Sequence, residues 1–175
     1  FKSQMKKYYR QAGIPTARYH MVDTLKGCLS FAHEVNYPVV AKPDNGVGAS
    51  HTFKIESDRE MKRFFELKWP DTPYIMEEYV QGEVNSYDAI IDSQGEPMFE
   101  TGNVTPNSIM DIVNNSDNSI YYILKNLPED TRKTGRATVK SFGVKSRLVH
   151  FECFRLTADQ AGLGKKGDIV ALEVN

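Results

Sequence analysis

Cysteine is nearly absent: Cys28 and Cys153 are the only two in 175 residues. They lie far apart and lack metal-type spacing, which leaves no disulfide framework and no thiolate metal cluster. Two reduced, buried thiols in a cytoplasmic protein are the expectation. Charge of one sign is missing as well, with 22 Lys and Arg against 23 Asp and Glu and a net charge of −1. Neither a nucleic-acid surface nor an anionic-membrane surface is expected from that balance. No run reaches the roughly 18 apolar residues of a membrane span. Phe1 opens the chain without a basic-then-apolar leader, so no signal peptide is expected. Repeats and low-complexity tracts are absent too. The histidines, His20, His33, His51 and His150, show no metal spacing and no catalytic Ser/His/Asp or Cys/His order. Each is expected to be structural, and only His51, beside a glycine-rich stretch, invites attention. Asn103 and Asn114 match the glycosylation pattern by chance in a cytoplasmic protein. What remains is an ordinary composition, 40% apolar and 26% charged, in a chain long enough for one core or two small lobes sharing a cleft.

Periodicity orders the chain. Residues 2–12 read as a helix, with Met5, Tyr8, Tyr9 and Ala12 on one side and Gly13 to stop it. Asp23 or Thr24 can cap a second helix with the stripe Leu25, Cys28, Leu29, Ala32 and Val35. Residues 39–42 and 52–55 read as strands. Ser57 with Glu60 forms a capping box for a third helix that carries Met61, Phe64 and Phe65. Residues 74–80 read as a strand broken at Gln81-Gly82, and 84–91 with 98–104 as a hairpin around Asp92–Gly95. Residues 105–118 read as a polar loop, 120–127 and 136–142 as helical segments, and 148–156 and 169–175 as strands. The fold class is therefore α+β, with a change of lobe near residues 79–82.

Two stretches carry the chemistry as a pair. Val39–Val40–Ala41–Lys42 runs into Pro43–Asp44–Asn45–Gly46–Val47–Gly48–Ala49–Ser50, a strand that ends in a lysine and enters a glycine loop. Such a loop can turn backbone N–H groups toward phosphate oxygens. Alone it is a weak signal: it is neither a Walker loop nor a dinucleotide fingerprint. A kinase order is excluded because the glycines follow the lysine rather than precede it. The bland alternative for Lys42 is a solvated strand end. At the other end, Ile169–Asn175 places Glu173 and Asn175 on one face of a strand. In residues 148–156, Leu148, His150, Glu152, Phe154 and Leu156 share a face. Glu152 is costly to bury there unless it is paired, for instance with Arg147 or Arg155, or bound to a metal. If the two strands pair, Glu152 meets Glu173 and Asn175. An all-oxygen set of that kind favours Mg2+, or Mn2+, over zinc. Met76–Glu83 reads either as an acidic edge strand or as a hinge that offers its backbone to a flat heterocycle.

Taken together, these pieces resemble the ATP-grasp superfamily, in particular the ligase cores of carbamoyl-phosphate synthase large chains and biotin carboxylases. The resemblance implies two α+β lobes gripping MgATP between them: a small lobe of about residues 14–75 with the glycine loop, and a larger lobe of 1–13 and 76–175 with the hinge and the metal strands. It implies nucleotide contacts from Lys2, Lys42, Gly46, Gly48, Ala49 and Ser50. Glu77, Glu78, Tyr79 and Val80 would line the adenine hinge, and Glu83 would hold the ribose. Glu152, Glu173 and Asn175 would bind the metal. The implied reaction is ATP-dependent ligation of a carboxylate, or bicarbonate, with an amine through an acyl phosphate, in a cytoplasmic enzyme that can be oligomeric. The family's amino-terminal domain and the arginine beyond the final asparagine are not in this sequence, so a core that folds but does not turn over alone is the expectation. A module that binds ATP without chemistry of its own is the alternative from another class. A purely structural α+β domain is the third.

Overall fold

The computed structural model describes residues 1–45, 51–106 and 120–175. Its contacts divide the chain into two compact units, Phe1–Ser3 with Ala17–Tyr79, and Gln4–Thr16 with Val80–Asn175. No helix among the described residues is long and apolar enough to cross a membrane.

In the first unit, β1 (Tyr19–Met21), β2 (Val39–Pro43), β3 (Phe53–Ile55) and β4 (Tyr74–Glu78) form an antiparallel sheet in the order β1-β4-β2-β3. Helices α2 (Leu25–Val35) and α3 (Asp58–Leu67) supply the apolar partners. Cys28, Ala32, Met61 and Phe64 from the helices join Val39, Ala41, Ile55, Tyr74 and Met76 from the strands in one core. The helix starts follow the side chains. Thr24 accepts from the Gly27 N–H at 3.1 Å, and Ser57 accepts from the Glu60 N–H at 3.3 Å. The second half of the capping box is displaced by one residue: Glu60 accepts from the Glu56 N–H at 2.8 Å.

The second unit is built on a six-stranded sheet in the order β10-β9-β5-β7-β8, with β6 also paired to β5. These strands are β5 (Gly82–Ile91), β6 (Pro97–Thr101), β7 (Asn103–Thr105), β8 (Tyr122–Ile123), β9 (Arg147–Leu156) and β10 (Ile169–Val174), and every pairing is antiparallel. Alternation sends Tyr87, Ala89, Ile91, Val149, Phe151 and Cys153 into a core closed by Tyr9 and Val139. Tyr9 comes from α1 (Lys2–Gln11) and Val139 from α4 (Glu129–Phe142).

Three expectations change. Residues 98–104 are not one strand, because the ladder breaks at Gly102 between β6 and β7. Any side chain at Gly102 would collide with the Ser86 carbonyl oxygen, so glycine is required where the backbones approach this closely. Residues 120–127 are not helical. Tyr122 and Ile123 pair with Val104 and Asn103, and Ile120, Tyr121, Tyr122 and Ile123 are all exposed, so no apolar face exists to hold a helix. The following helix begins at Glu129 rather than 136, with Glu129 and Asp130 complementing the dipole of its first turn.

Gly135 lets α4 sit directly on the Tyr87 ring, a fully buried side chain whose hydroxyl donates to Glu100. Gly135→Ala should gain about 1 kcal/mol of helix propensity and lose more through overpacking, about 1–3 kcal/mol. A net loss of stability in chemical denaturation is therefore expected; a gain would show that the close approach is not needed.

Candidate functional site

In the first unit Lys42 and Glu77 lie on the sheet face opposite α2 and α3. Lys42 and Ile75 are register partners, as are Val40 and Glu77, so Lys42 and Glu77 meet diagonally across one face. Their ion pair is 2.7 Å long and nearly enclosed, with side chains 11% and 8% exposed. Two residues on, the buried Asp44 fixes the start of α1. Its carboxylate accepts from the Ser3 N–H and the Ser3 hydroxyl, each at 2.7 Å, and its backbone carbonyl accepts from the Lys2 N–H at 2.9 Å. Lys2 is buried and lies just before this clamp. Gly46, Gly48, Ala49 and Ser50 lie outside the described residues, as does most of the polar stretch 105–118.

The next strand, β4, ends where the hinge is expected. The Glu78 side chain is engaged: its oxygens accept from the Arg18 N–H at 2.7 Å and from the Arg18 guanidinium at 3.0 and 2.8 Å. Tyr79 donates its N–H to the Pro38 carbonyl at 3.3 Å. Val80 is buried just past the end of the strand, and Glu83 is exposed near the start of β5.

In the second unit the sheet face away from α1 and α4 carries the oxygen ligands. Glu152 lies opposite Glu173, and two backbone hydrogen bonds of 2.9 Å join His150 to Asn175. The register shifts between Ala171 and Glu173, a bulge at Leu172. That extra residue turns Glu173 away from the core face occupied by Ala171 and onto the face of Glu152. Glu152, Glu173 and Asn175 therefore share one surface. One step toward β10's start, Val84, Phe154 and Val170 form an apolar row on the same face.

Neither proposed arginine pairs with Glu152. Arg155 is on the opposite face and binds Asp130 at 2.7 and 3.0 Å. Glu152 instead lies 3.4 Å from Nε2 of His150, whose Nδ1 is bonded to Asp88. Asp88 first, and then Glu152, hold the His150 imidazole as a cation, pushed up to about 10. Asp88 is itself bonded by Ser86, which accepts from the Asn103 N–H at 3.0 Å. The Ser86–Asp88–His150 chain does not stand out in the sequence pattern, where only His51 invites attention; His51 packs at a tilt against Trp69 instead. The available signal was Asp88, an acid inside the apolar run of β5 directly opposite His150.

Two units, one with a strand-end lysine in an enclosed ion pair and one with two carboxylates in direct register, make up the described fold. Residues 5–138 match the ATP-grasp domain family, and the chain belongs to that family. Solved structures share the fold. N5-carboxyaminoimidazole synthase of Aspergillus clavatus, in complex with ADP and 5-aminoimidazole ribonucleotide, superposes with a TM-score of 0.70 at 15% identity, over 99% of this chain and 43% of that one. D-alanine–D-alanine ligase of Bacillus anthracis, complexed with ATP, gives 0.69 at 18% identity, over 99% and 53%. The ATP-grasp ligase PsnB, complexed with minimal precursor, Mg and ADP, gives 0.69 at 17% identity, over 99% and 48%. This chain thus spans about half the length of these proteins or less. A comparison with curated protein sequences returned no match.

The Lys42–Glu77 pair makes a prediction about stability as well as binding. Lys42→Ala removes the cation 2.7 Å from an enclosed carboxylate. Breaking such a pair costs about 3–5 kcal/mol, so urea denaturation of Lys42→Ala should show a loss near the lower end of that range, with recovery in Lys42→Met/Glu77→Leu. No loss in the single variant would mean that the pair does not hold the sheet.

Proposed function

We propose that this chain supplies the nucleotide and metal ligands of an ATP-dependent ligase that joins a carboxylate to an amine through an acyl phosphate. The observation that carries this reading is the juxtaposition of Glu152 and Glu173 across the bulge. Like charges directly opposite in a sheet are destabilising, and a divalent cation between them reverses that sign. With Asn175 the donor set is entirely oxygen, which fits Mg2+ or Mn2+. PsnB, complexed with Mg and ADP, supports the same choice.

Each residue then has a task. Lys42 sits at the end of β2 beside Glu77, and its ammonium would meet nucleotide phosphate together with the backbone of residues 46–50. Lys2 would add a second cation from the start of α1. The Glu78 and Val80 backbone would take the adenine edge, while Arg18 holds the Glu78 side chain aside. Glu83, exposed near the start of β5, would accept from the ribose hydroxyls. Glu152, Glu173 and Asn175 would hold the metal, which supplies charge neutralisation at the phosphates. The share of catalysis left to this chain is alignment and fixed charge. The carboxylate, or bicarbonate, and the amine are the reacting partners. The fold shared with D-alanine–D-alanine ligase supports that class, and the sequence's likeness to carbamoyl-phosphate synthase and biotin carboxylase keeps bicarbonate within it.

Glu173→Gln tests the assignment. Mn2+ affinity in the presence of ADP, read by electron paramagnetic resonance, should fall at least as far as the roughly 10–100-fold that loss of a supporting group costs a metal site. Circular dichroism should be unchanged. Equal Mn2+ affinity in wild type and variant would overturn the metal assignment.

A further inference from the structure

The outer face of the second sheet changes chemistry in steps along its strands. Ser86, Glu152 and Glu173 form one row across β5, β9 and β10. The next row contains Asp88, His150 and Asn175, with Thr101 opposite Asp88 on β6. A third row follows, in which Phe99, Ile90 and Leu148 are in direct register. Its members are 57%, 42% and 73% exposed. The core does not need them, since their chain neighbours Ala89, Ile91 and Val149 fill it from the other face. Single exposed apolar residues are unremarkable, but three in register across adjacent strands make a contiguous patch of the kind that marks contact.

The order of the rows identifies what the patch fits. Along β9, Glu152 and Leu148 are separated by four residues of strand, roughly 13 Å, with only polar side chains between them on this face. An amphipathic carboxylate has the same order: a charged head, a polar middle and an apolar end. We propose, on the basis of the ligase reading above, that the Phe99–Ile90–Leu148 row receives the apolar body of the carboxylate substrate. Its carboxyl group lies at the Glu152–Glu173 row. The substrate is therefore a carboxylate with an aliphatic or aromatic group several carbons from the reacting carbon, rather than a small polar acid. The patch adjoins the row of the proposed ligand Asn175 on the same sheet face, and this placement favours a substrate over a separate macromolecule. The row beside it toward the strand end, Val84, Phe154 and Val170, does not compete for this role, because Val84 and Val170 are already buried.

The test is isothermal titration of the chain, saturated with MgADP, with acetate, octanoate, decanoate, dodecanoate and 8-phenyloctanoate, using the matching alcohols as controls. Affinity should rise by about twofold for each methylene that reaches the row, half the free-energy increment of complete burial. The alcohols should bind more weakly than the acids. Leu148→Asn, alone and with Ile90→Thr, should remove the length dependence and leave MgADP affinity unchanged. Carboxylates that bind alike whatever their length, or alcohols that bind as well as acids, would overturn the proposal and leave the ligase reading in place. So would length dependence that persists in both variants. Self-association in sedimentation that both variants abolish would assign the row to contact between copies and overturn it as well. A chain that does not bind MgADP at all would overturn the ligase reading and this proposal with it.

Discussion

One extra residue in β10 governs the chemistry of the second unit. In an unbroken ladder, Glu173 would follow Ala171 onto the core face, where a carboxylate has no place. The bulge at Leu172 reverses that orientation and sets Glu173 opposite Glu152. The side chains that the end of β10 adds to that face depend on this step. Asn175 takes the same side because it is two residues further on, and its backbone closes the ladder against His150. The arrangement places two carboxylates in direct register, and the His150 imidazolium bonded to Asp88 lies 3.4 Å from Glu152.

The first unit adds enclosure to register. Lys42 is kept in place by Glu77, so its ammonium is oriented before any ligand arrives. Asp44 then binds Ser3 and the Lys2 backbone, which ties the end of β2 to the first turn of α1. A strand-end lysine is usually mobile and solvated. This one is paired with an enclosed carboxylate, and that constraint suits the phosphate-aligning role proposed for it.

Much of this was legible in the sequence because period and burial agree. The alternation of Val149, Phe151 and Cys153 against His150 and Glu152 gave β9 both its extent and its two faces. The stripe of α2 and the Ser57 cap gave the helices of the first unit. The misreadings have local physical causes. Gly102 splits a strand because of a backbone contact with Ser86, a partner sixteen residues away in sequence that no local pattern reveals. Residues 120–127 looked helical by composition, yet Tyr122 and Ile123 pair with β7, so tertiary pairing overrode a weak propensity. The start of α4 was hidden by Thr131, Thr134 and Gly135, poor helix formers that are tolerated because Gly135 admits the Tyr87 ring. At the site, the Glu–Asn spacing was visible but the bulge was not. The Asp88–His150 contact was also invisible, because it requires the register of two strands about sixty residues apart.

Glu152 and Glu173 are proposed to share a divalent cation when nucleotide is present. A crystal structure of the chain grown with Mn2+ and ADP, with anomalous data collected at the manganese edge, tests this directly. The account predicts an anomalous peak within coordination distance of oxygens from both Glu152 and Glu173. Manganese bound with nucleotide at another cluster, such as His20, Asp23 and Cys28 of the first unit, while the two glutamates face only protein, would contradict it.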